Sequence, residues 1–447
     1  MNRRTFLKTT AATLAAGAAP QGCKPAAGQA AARGTELSFT REYDVIVAGA
    51  GVAGVAAALE VARAGLGVAL VEKTVMSGGL ATAGFVNDYL PLCDGRGTQV
   101  SFGITEEFFH ASALHGPGAP PPDWKTPVNG KTRRLHLRFS PAAFALTLDE
   151  LMDRERAIDR WYDTLVCASV VENGRVAGIE VENKSGRGRL LAKCVIDATG
   201  DGDVAARAGC AFHEETNKLT IWALQCSLAA ARRAAKANNA APLLNLHLLG
   251  LEGGRLTPEE KLRQRPWRGT DGKSVSRYVI ETHRALLRHY IEREGTGVRE
   301  NSPKNLWPFA LPAMAQFRTT RAVNGRATLD SDMDWRRFED SIGLVADWRE
   351  RGKVWEIPFG TLVPESVGGL LTAGRCISSR NDAWEVTRVI PPAAQTGQVA
   401  GIAATLAVRR GILPAAVPAA DVQAELRKKG IPYHFADAGL SAPDGQG

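Results

Sequence analysis

Hydrophobic positions cluster early in the chain. Val45-Ile46-Val47 is an unbroken apolar strand pattern, preceded by a polar lead-in over 35–42. From Val52 to Arg63 the chain is Ala-rich with helical period, and Val68 to Val71 is a second buried strand. The result is strand, turn, helix, strand within about thirty residues. Residues 75–104 are rich in Gly and read as loop, and a proline loop follows at 117–124. A helix is expected from Ala142 to Arg156, with Phe144, Leu146, Leu148 and Leu151 as its apolar positions. Three strands follow up to Asp197, with turns at Asn173-Gly174 and Ser185-Gly186. Residues 213–330 are irregular, with short helical patterns and polar interruptions. A buried strand at 368–376 ends in a tight Gly, and a helix opens at Pro391-Pro392 and closes at Arg409, Arg410 and Gly411. A small helix is expected at about 418–429, then a frayed tail, and no internal repeat is visible.

The turn between the first strand and helix carries the chemistry. Gly49-Ala50-Gly51-Val52-Ala53-Gly54 is G-x-G-x-x-G in the right setting, and Glu72 ends the next strand at the expected distance. Gly49 permits the tight turn, Gly51 lets backbone approach a pyrophosphate, and Gly54 lets helix and strand pack closely. The helix N-terminus offers unpaired N–H groups to phosphates, and Glu72 can accept from both hydroxyls of an adenosine ribose. In "ATGDGDVA" a strand stops at Thr199-Gly200, where small residues let a cofactor lie on the backbone. Asp201 and Asp203 can cap the following turn; for Asp203, capping and cofactor contact remain equally open. The helix opened by Pro391-Pro392 would aim its positive end at a cofactor. Gly397 and Gly401 share one face of it, where they allow close approach to the cofactor or to a neighbouring helix.

Composition adds limits. The chain has 447 residues, enough for two domains or one large domain with insertions. Its formal charge is +8, but the first 34 residues hold Arg3, Arg4, Lys8, Lys24 and Arg33 and no acid, leaving +3 for the rest. No dense basic block remains, so nucleic acid is not an expected partner. Seven cysteines lie at 23, 93, 167, 194, 210, 226 and 376, with no C-x-x-C, so neither a metal site nor a dithiol centre is expected.

Arg3-Arg4-Thr5-Phe6-Leu7-Lys8, followed by an apolar run to Ala19, resembles a twin-arginine export signal. The run is too short to span a bilayer. Ala16-Gly17-Ala18 suits cleavage, whereas Gly22-Cys23 would suit lipid attachment except that Pro20 stands where Leu is usual. The expected location is periplasmic or otherwise extracytoplasmic, reached through the twin-arginine machinery. That route carries folded proteins, which fits a cofactor loaded in the cytoplasm, and it leads to an expectation of mostly free, buried thiols.

Four further stretches resemble the FAD-dependent oxidoreductase family of glutathione-reductase-like Rossmann flavoproteins: "VEKTVMSGGLATAG", "VIDATGDGDVAARAG", "IPFGTLVPESVGGLLTAGRCISS" and "RVIPPAAQTGQVAGIAA". They span most of 43–411 and are weakest over about 213–315. The resemblance implies an α/β fold, with an FAD/NAD(P)-binding Rossmann-like three-layer domain and an inserted α+β substrate domain. The FAD domain is expected from 35–85, 141–212 and 361–411, the substrate domain from 86–140 and 213–360, and a C-terminal helix and tail from 412–447. The resemblance implies FAD contacts from Gly49, Gly51, Val52, Ala53, Gly54, Glu72 and Lys73. It implies others from Gly78, Gly79, Leu80, Ala81 and Thr82, from Thr199, Gly200 and Asp201, and from Gly374, Arg375, Pro391 and Gly397.

On the substrate side the chain departs from the family. Phe359-Gly360 stands where an aromatic-Arg pair is usual, and Asn381-Asp382 where His-Glu is usual, while Arg388 matches. The candidate catalytic residues are Arg388, Asn381, Asp382, Arg321 and Arg318, since Arg can anchor a carboxylate or the flavin pyrimidine. Asn87, Asp88 and Tyr89 stand where they could edge the same site, and His110, His136 and His213 are possible bases. The expected activity is hydride transfer between a small organic substrate and flavin, with a quinone, small redox protein or oxygen as acceptor, because an exported enzyme is cut off from the nicotinamide pool. The alternatives are a monooxygenase or halogenase, for which Trp355-Glu356-Ile357-Pro358 is half of the Trp-x-Trp-x-Ile-Pro motif, and a non-catalytic FAD-binding protein.

Overall fold

The computed structural model describes residues 37–120, 124–125, 135–250 and 267–442. The export-signal reading therefore lies outside the described residues, as does Cys23. In chain order the elements begin with β1 (Phe39–Ala48), α1 (Val52–Arg63), β2 (Val68–Val71), β3 (Asp88–Tyr89), α2 (Ile104–Leu114), β4 (Leu137–Arg138) and α3 (Pro141–Asp153). Then come β5 (Ile158–Trp161), β6 (Leu165–Glu172), β7 (Arg175–Asn183), β8 (Gly186–Asp197), α4 (Asp203–Arg207), β9 (Phe212–Glu214), β10 (Thr220–Ser227), α5 (Leu228–Ala237) and β11 (Leu246–Gly250). The remainder is α6 (Gly272–Gly295), β12 (Leu306–Ala310), β13 (Arg321–Val323), β14 (Ser341–Ala346), β15 (Val354–Pro358), β16 (Leu370–Thr372), α7 (Asn381–Thr387), α8 (Ile390–Arg410) and α9 (Ala419–Lys428).

The central sheet runs β5-β2-β1-β8-β7-β6, with β16 also paired to β8. The strands from β5 to β8, and β16, are parallel; β8-β7-β6 is an antiparallel meander. Successive side chains of a strand point to opposite faces, so the apolar run of β1 feeds two cores. Val45 and Val47 pack with α1 and α8, while Ile46 and Ala48 pack with Val176, Ile179 and Leu190 of the meander. Helices, parallel strands and meander thus form three layers. α1 and α8 meet so closely that a Cβ on Gly397 would lie 2.1 Å from the Ala53 carbonyl oxygen, and one on Gly401 2.8 Å from that of Ala57.

Several expectations are corrected. The lead-in 35–42 is polar, yet β1 already begins at Phe39, whose ring stacks on Trp161 with centroids 5.4 Å apart. The supposed loop 75–104 contains a 3-10 turn at Gly79–Ala81 and the short β3, and α2 begins at its end. Within 213–330 lies α6, a helix of 24 residues. It buries only Tyr278, Thr282 and Leu286, a stripe four residues apart and too narrow to stand out among its charges. α4 starts from Gly202 at φ 62° with no side-chain cap, so neither Asp201 nor Asp203 caps it. Among the described residues, all six cysteines are free, and Cys93, Cys194, Cys210 and Cys376 are buried. No helix of the described residues is long and apolar enough to cross a membrane, and they hold no metal-binding cluster.

Candidate dinucleotide cleft

A cleft opens at the carboxyl ends of β1, β2, β8 and β16. Its floor is the glycine turn. Gly49 sits at φ 95°, and a Cβ there would meet the Ala198 carbonyl oxygen at 2.5 Å. Gly54 faces inward, where a Cβ would lie 1.8 Å from the Gly49 oxygen. Gly51 differs from both: a Cβ there meets no protein atom within 4 Å, so its Cα faces the open cleft. It caps α1 without a side-chain hydrogen bond, and the first turn holds no acid. The amides of that turn are left to an outside acceptor, as pyrophosphate binding requires.

Glu72, at the end of β2, is buried and already oriented. Its Oε2 accepts from Ala50 N at 2.9 Å and its Oε1 from Thr74 N at 2.8 Å, leaving further lone pairs on each oxygen. Beside it the Gly78–Ala81 segment folds over the glycine turn. Gly78 has φ 97°, its N–H reaches Ala50 O at 2.8 Å, and a Cβ on Gly79 would be 3.1 Å from Gly51 Cα. Gly49, Gly51, Val52, Ala53, Glu72, Lys73, Gly78, Gly79, Leu80 and Ala81 all line the cleft.

The opposite wall comes from β8, β16 and α8. Thr199, Gly200, Gly374, Arg375 and Arg388 line it. Arg375 is the brace: its Nε donates to Gly200 O at 2.7 Å, Nη1 to Phe317 O at 2.7 Å, and Nη2 to Asp201 Oδ1 at 2.5 Å. Asp201 is therefore spent on Arg375 and does not line the cleft. α8 begins with Val389 as an uncapped N-cap and no acid in its first turn. Pro391 and Pro392 have no N–H, and Ala393 N donates to Val389 O, so Ile390 supplies the one amide of that turn without a partner among the described residues.

Four other expected cofactor residues support the cleft without lining it. Gly54 and Gly397 are close-packing positions, Thr82 donates its hydroxyl to Ser77 O at 2.5 Å, and buried Pro391 accepts from Thr105 Oγ1 at 3.1 Å. Sequence reasoning missed Ala198, Met314, Ala373, Ile390 and Ala393, which line the cleft with backbone or apolar surface and carry no motif signal.

The catalytic candidates separate. Arg388 is half-buried and ion-paired through Nη2 to Glu385, and its buried Nε has no partner among the described residues. Burial pulls its pKa down, and Arg318 and Arg375 add like charge nearby. Arg318 belongs to this cationic group, with its backbone N–H donating to Asn217 Oδ1 at 2.8 Å. Arg321 does not line the cleft; it holds Asp201 O at 3.0 Å and Asp203 Oδ1 at 3.1 Å, and stacks on Phe212. Asn381 and Asp382 are exposed and away from the cleft, because Asn381 Nδ2 donates to Asp330 at 2.8 Å and Asp382 pairs with Arg349 at 3.0 Å.

The remaining polar candidates also face elsewhere. Asn87 is buried against Phe139 O, Tyr89 OH donates to Thr105 O, and Asp88 pairs with exposed His136. His110 is exposed beside Glu106. His213 packs on Trp384 with a buried, unpartnered Nε2, and burial lowers its pKa. Trp355 is fully buried, its Nε1 donating to Asp330 O at 3.1 Å, so the Trp-x-x-Pro stretch is structural.

The cradle and its donors fit FAD: bare backbone for a pyrophosphate, a fixed carboxylate for a ribose, and an orphaned guanidinium N–H at the far end. Among solved structures the chain is similar to a geranylgeranyl bacteriochlorophyll reductase-like protein from Thermoplasma acidophilum. The two are 15% identical over 89% of this chain and 86% of that one, with a TM-score of 0.44. It is also similar to a flavoprotein/dehydrogenase from Cytophaga hutchinsonii, at 15% identity over 87% and 83% and a TM-score of 0.42. A third similar structure is 3-ketosteroid-Δ4-(5α)-dehydrogenase from Rhodococcus jostii, at 16% over 84% and 99% and a TM-score of 0.36. No curated protein matches. The model of the FAD dependent oxidoreductase family matches residues 44–221 and 261–426, which include the glycine turn, Glu72, Thr199-Gly200, Gly374 and Arg388. With more than half of its length matched and these residues gathered in one cleft, the chain belongs to the FAD dependent oxidoreductase family.

Proposed function

We propose that this chain is an exported FAD-dependent oxidoreductase, moving hydride between a small organic substrate and flavin N5 and passing electrons to an acceptor other than a nicotinamide. The observation that carries the redox reading is Arg388: a half-buried cation whose buried Nε has no partner among the described residues, near the Ile390 amide, at one end of a backbone-lined cleft. Glu72 would hold the ribose and the first turn of α1 the pyrophosphate, while Arg375 fixes the 200–201 turn at the far wall. Arg388 and the Ile390 N–H would favour negative charge on a flavin ring bound at that end of the cleft. Arg321 is a positioning residue through Asp201. Export is supported by Arg3-Arg4 and the apolar run after them.

The first experiment is the visible spectrum of the purified protein before and after heat denaturation. A flavin spectrum with FAD released to the supernatant is expected. A colourless protein that does not take up FAD would overturn the reading, and a bound flavin that dithionite cannot reduce would leave a non-catalytic FAD protein. Arg388→Met is expected to keep its FAD and lower the two-electron midpoint potential by about 30 mV, equivalent to about 1.4 kcal/mol. An unchanged potential would remove Arg388 from the flavin. Replacing Arg3 and Arg4 by Lys is expected to hold the protein in the cytoplasm; undiminished export would refute the signal.

A further inference from the structure

A second cavity, of about 790 Å³, lies beside the cleft and contains none of the residues discussed so far as cofactor or catalytic groups. Its size is that of a small-molecule site, ~300–1,000 Å³. One wall is the sheet β10–β12, at Leu224 and Ala310, and another is α5, at Ala231. Across from them stand the first turn of α3, at Ala142, and Phe85. The mouth is apolar too: Trp307 and Phe309 are 42% and 63% exposed, with ring centroids 6.1 Å apart.

Most polar groups of this lining are already used within the protein. Ser140 and Ser227 cap α3 and α5, Gln225 Oε1 accepts from Tyr290 at 2.9 Å, and Asn305 Nδ2 donates to Arg299 O at 2.7 Å. Among the described residues of the lining there is no Asp or Glu, and the one charged residue is Lys304, exposed and without an ion pair. The neighbouring α5 adds Arg232, Arg233 and Lys236 and no acid. An apolar chamber with a single cation at its rim is complementary to a long apolar chain that ends in one negative charge.

The chamber shares a wall with the dinucleotide cleft. Leu80 and Ala81 line the cleft, and Phe85, a few residues on, lines the chamber. Met314 and Ala310 divide in the same way on the facing segment. The two segments are tied together: Ala313 N donates to Ala83 O at 2.8 Å, and Gln316 Nε2 donates to Gly84 O. Phe85 itself sits at φ 55°, a conformation that a bulky residue adopts only when its surroundings impose it.

We propose that this chamber binds an amphipathic small molecule, a long apolar chain with one anionic head, with the chain packed along β10 and β12 as far as Phe85 and the head at Lys304. Its role as the enzyme's substrate rests on the flavin reading above; its binding does not. The probe is cis-parinaric acid titrated into the full-length holoprotein and followed by its fluorescence, with the neutral methyl ester as comparison and flavin content read in the same samples. One saturable site is expected. Ala142→Phe, at an exposed helix position, and Ala231→Phe are each expected to weaken it about tenfold while flavin content holds. Lys304→Met is expected to weaken the acid about fivefold and leave the ester unchanged. No saturable binding, binding indifferent to both Phe variants, or association only with anionic vesicles would overturn the proposal. A colourless protein that still bound the probe in this pattern would sink the flavin reading and keep the chamber's ligand.

Discussion

At Gly49, Gly51 and Gly54 one motif holds three different physical demands. Gly54 and Gly49 are required by the protein itself, since their Cβ atoms would collide with backbone at 1.8 Å and 2.5 Å. Gly51 is required only by what binds, since a methyl there meets nothing within 4 Å. Gly51→Ala is therefore expected to leave the apoprotein's melting temperature unchanged and to lower FAD content sharply. Gly54→Ala is expected to cost ~1–3 kcal/mol of stability as well, the usual penalty for overpacking. Thermal melts of both apoproteins beside their visible spectra separate the cases; equal melting losses would refute the distinction. The same scale explains why the arginines could not be ranked from sequence. Arg375, Arg321 and Arg388 look alike in the chain. Partner geometry makes the first two braces; Arg321 and Arg388 each keep a buried Nε with no partner among the described residues, but of these two only Arg388 lines the cleft.

Among the elements, α1, β2, the meander and α8 were legible because each has one dominant period and clear punctuation. α8 ends where Gly411 takes φ 64° and its N–H reaches Ala407 and Val408, as the basic residues before it suggest. The β10–β12 sheet and α6 were not legible, because their apolar faces are narrow and their partners distant in sequence. Their contact gives a pH-dependent element. His247 of β11 stacks on His289 of α6 with centroids 4.3 Å apart, and burial, then His289 and Arg293, push the His247 pKa down to about 4. The unfolded chain, at about 6.5, binds the proton more readily, so stability is full above that value and is lost as the pH falls towards 4. The ring is only partly shielded, so the loss is about 1 kcal/mol. Urea midpoints are expected to fall between pH 6.5 and 4 in the wild type and to fall less in His247→Phe; parallel curves would contradict the assignment.

Over the whole molecule, the cleft depends on stretches far apart in the chain meeting at one sheet end. The C-terminal segment is tied in by one buried carboxylate. Glu356 of β15, with no exposed surface, accepts from Phe338 N at 2.8 Å, from Phe435 N at 3.0 Å and from His434 Nδ1 at 3.1 Å. Glu356→Leu leaves both amides and the ring nitrogen without acceptors, and is expected to cost ~3 kcal/mol. Chemical denaturation measures this directly, and a loss below ~1 kcal/mol would show that the segment is held by packing alone.

That the dinucleotide is FAD was implied by the resemblance of four further stretches to a known family; the sequence by itself determined the dinucleotide cradle and the α/β layering. These rest on local rules: glycine conformation, strand and helix period, and an acid at a set distance along one βαβ unit. Only the tertiary structure decided which cleft arginine keeps an unpartnered N–H among the described residues, that Asn381 and Asp382 turn outward to Asp330 and Arg349, and that an apolar chamber adjoins the site. Those outcomes depend on which distant groups satisfy each donor and acceptor, and on which apolar faces are left uncovered once the sheets have packed. No periodicity in the chain encodes either.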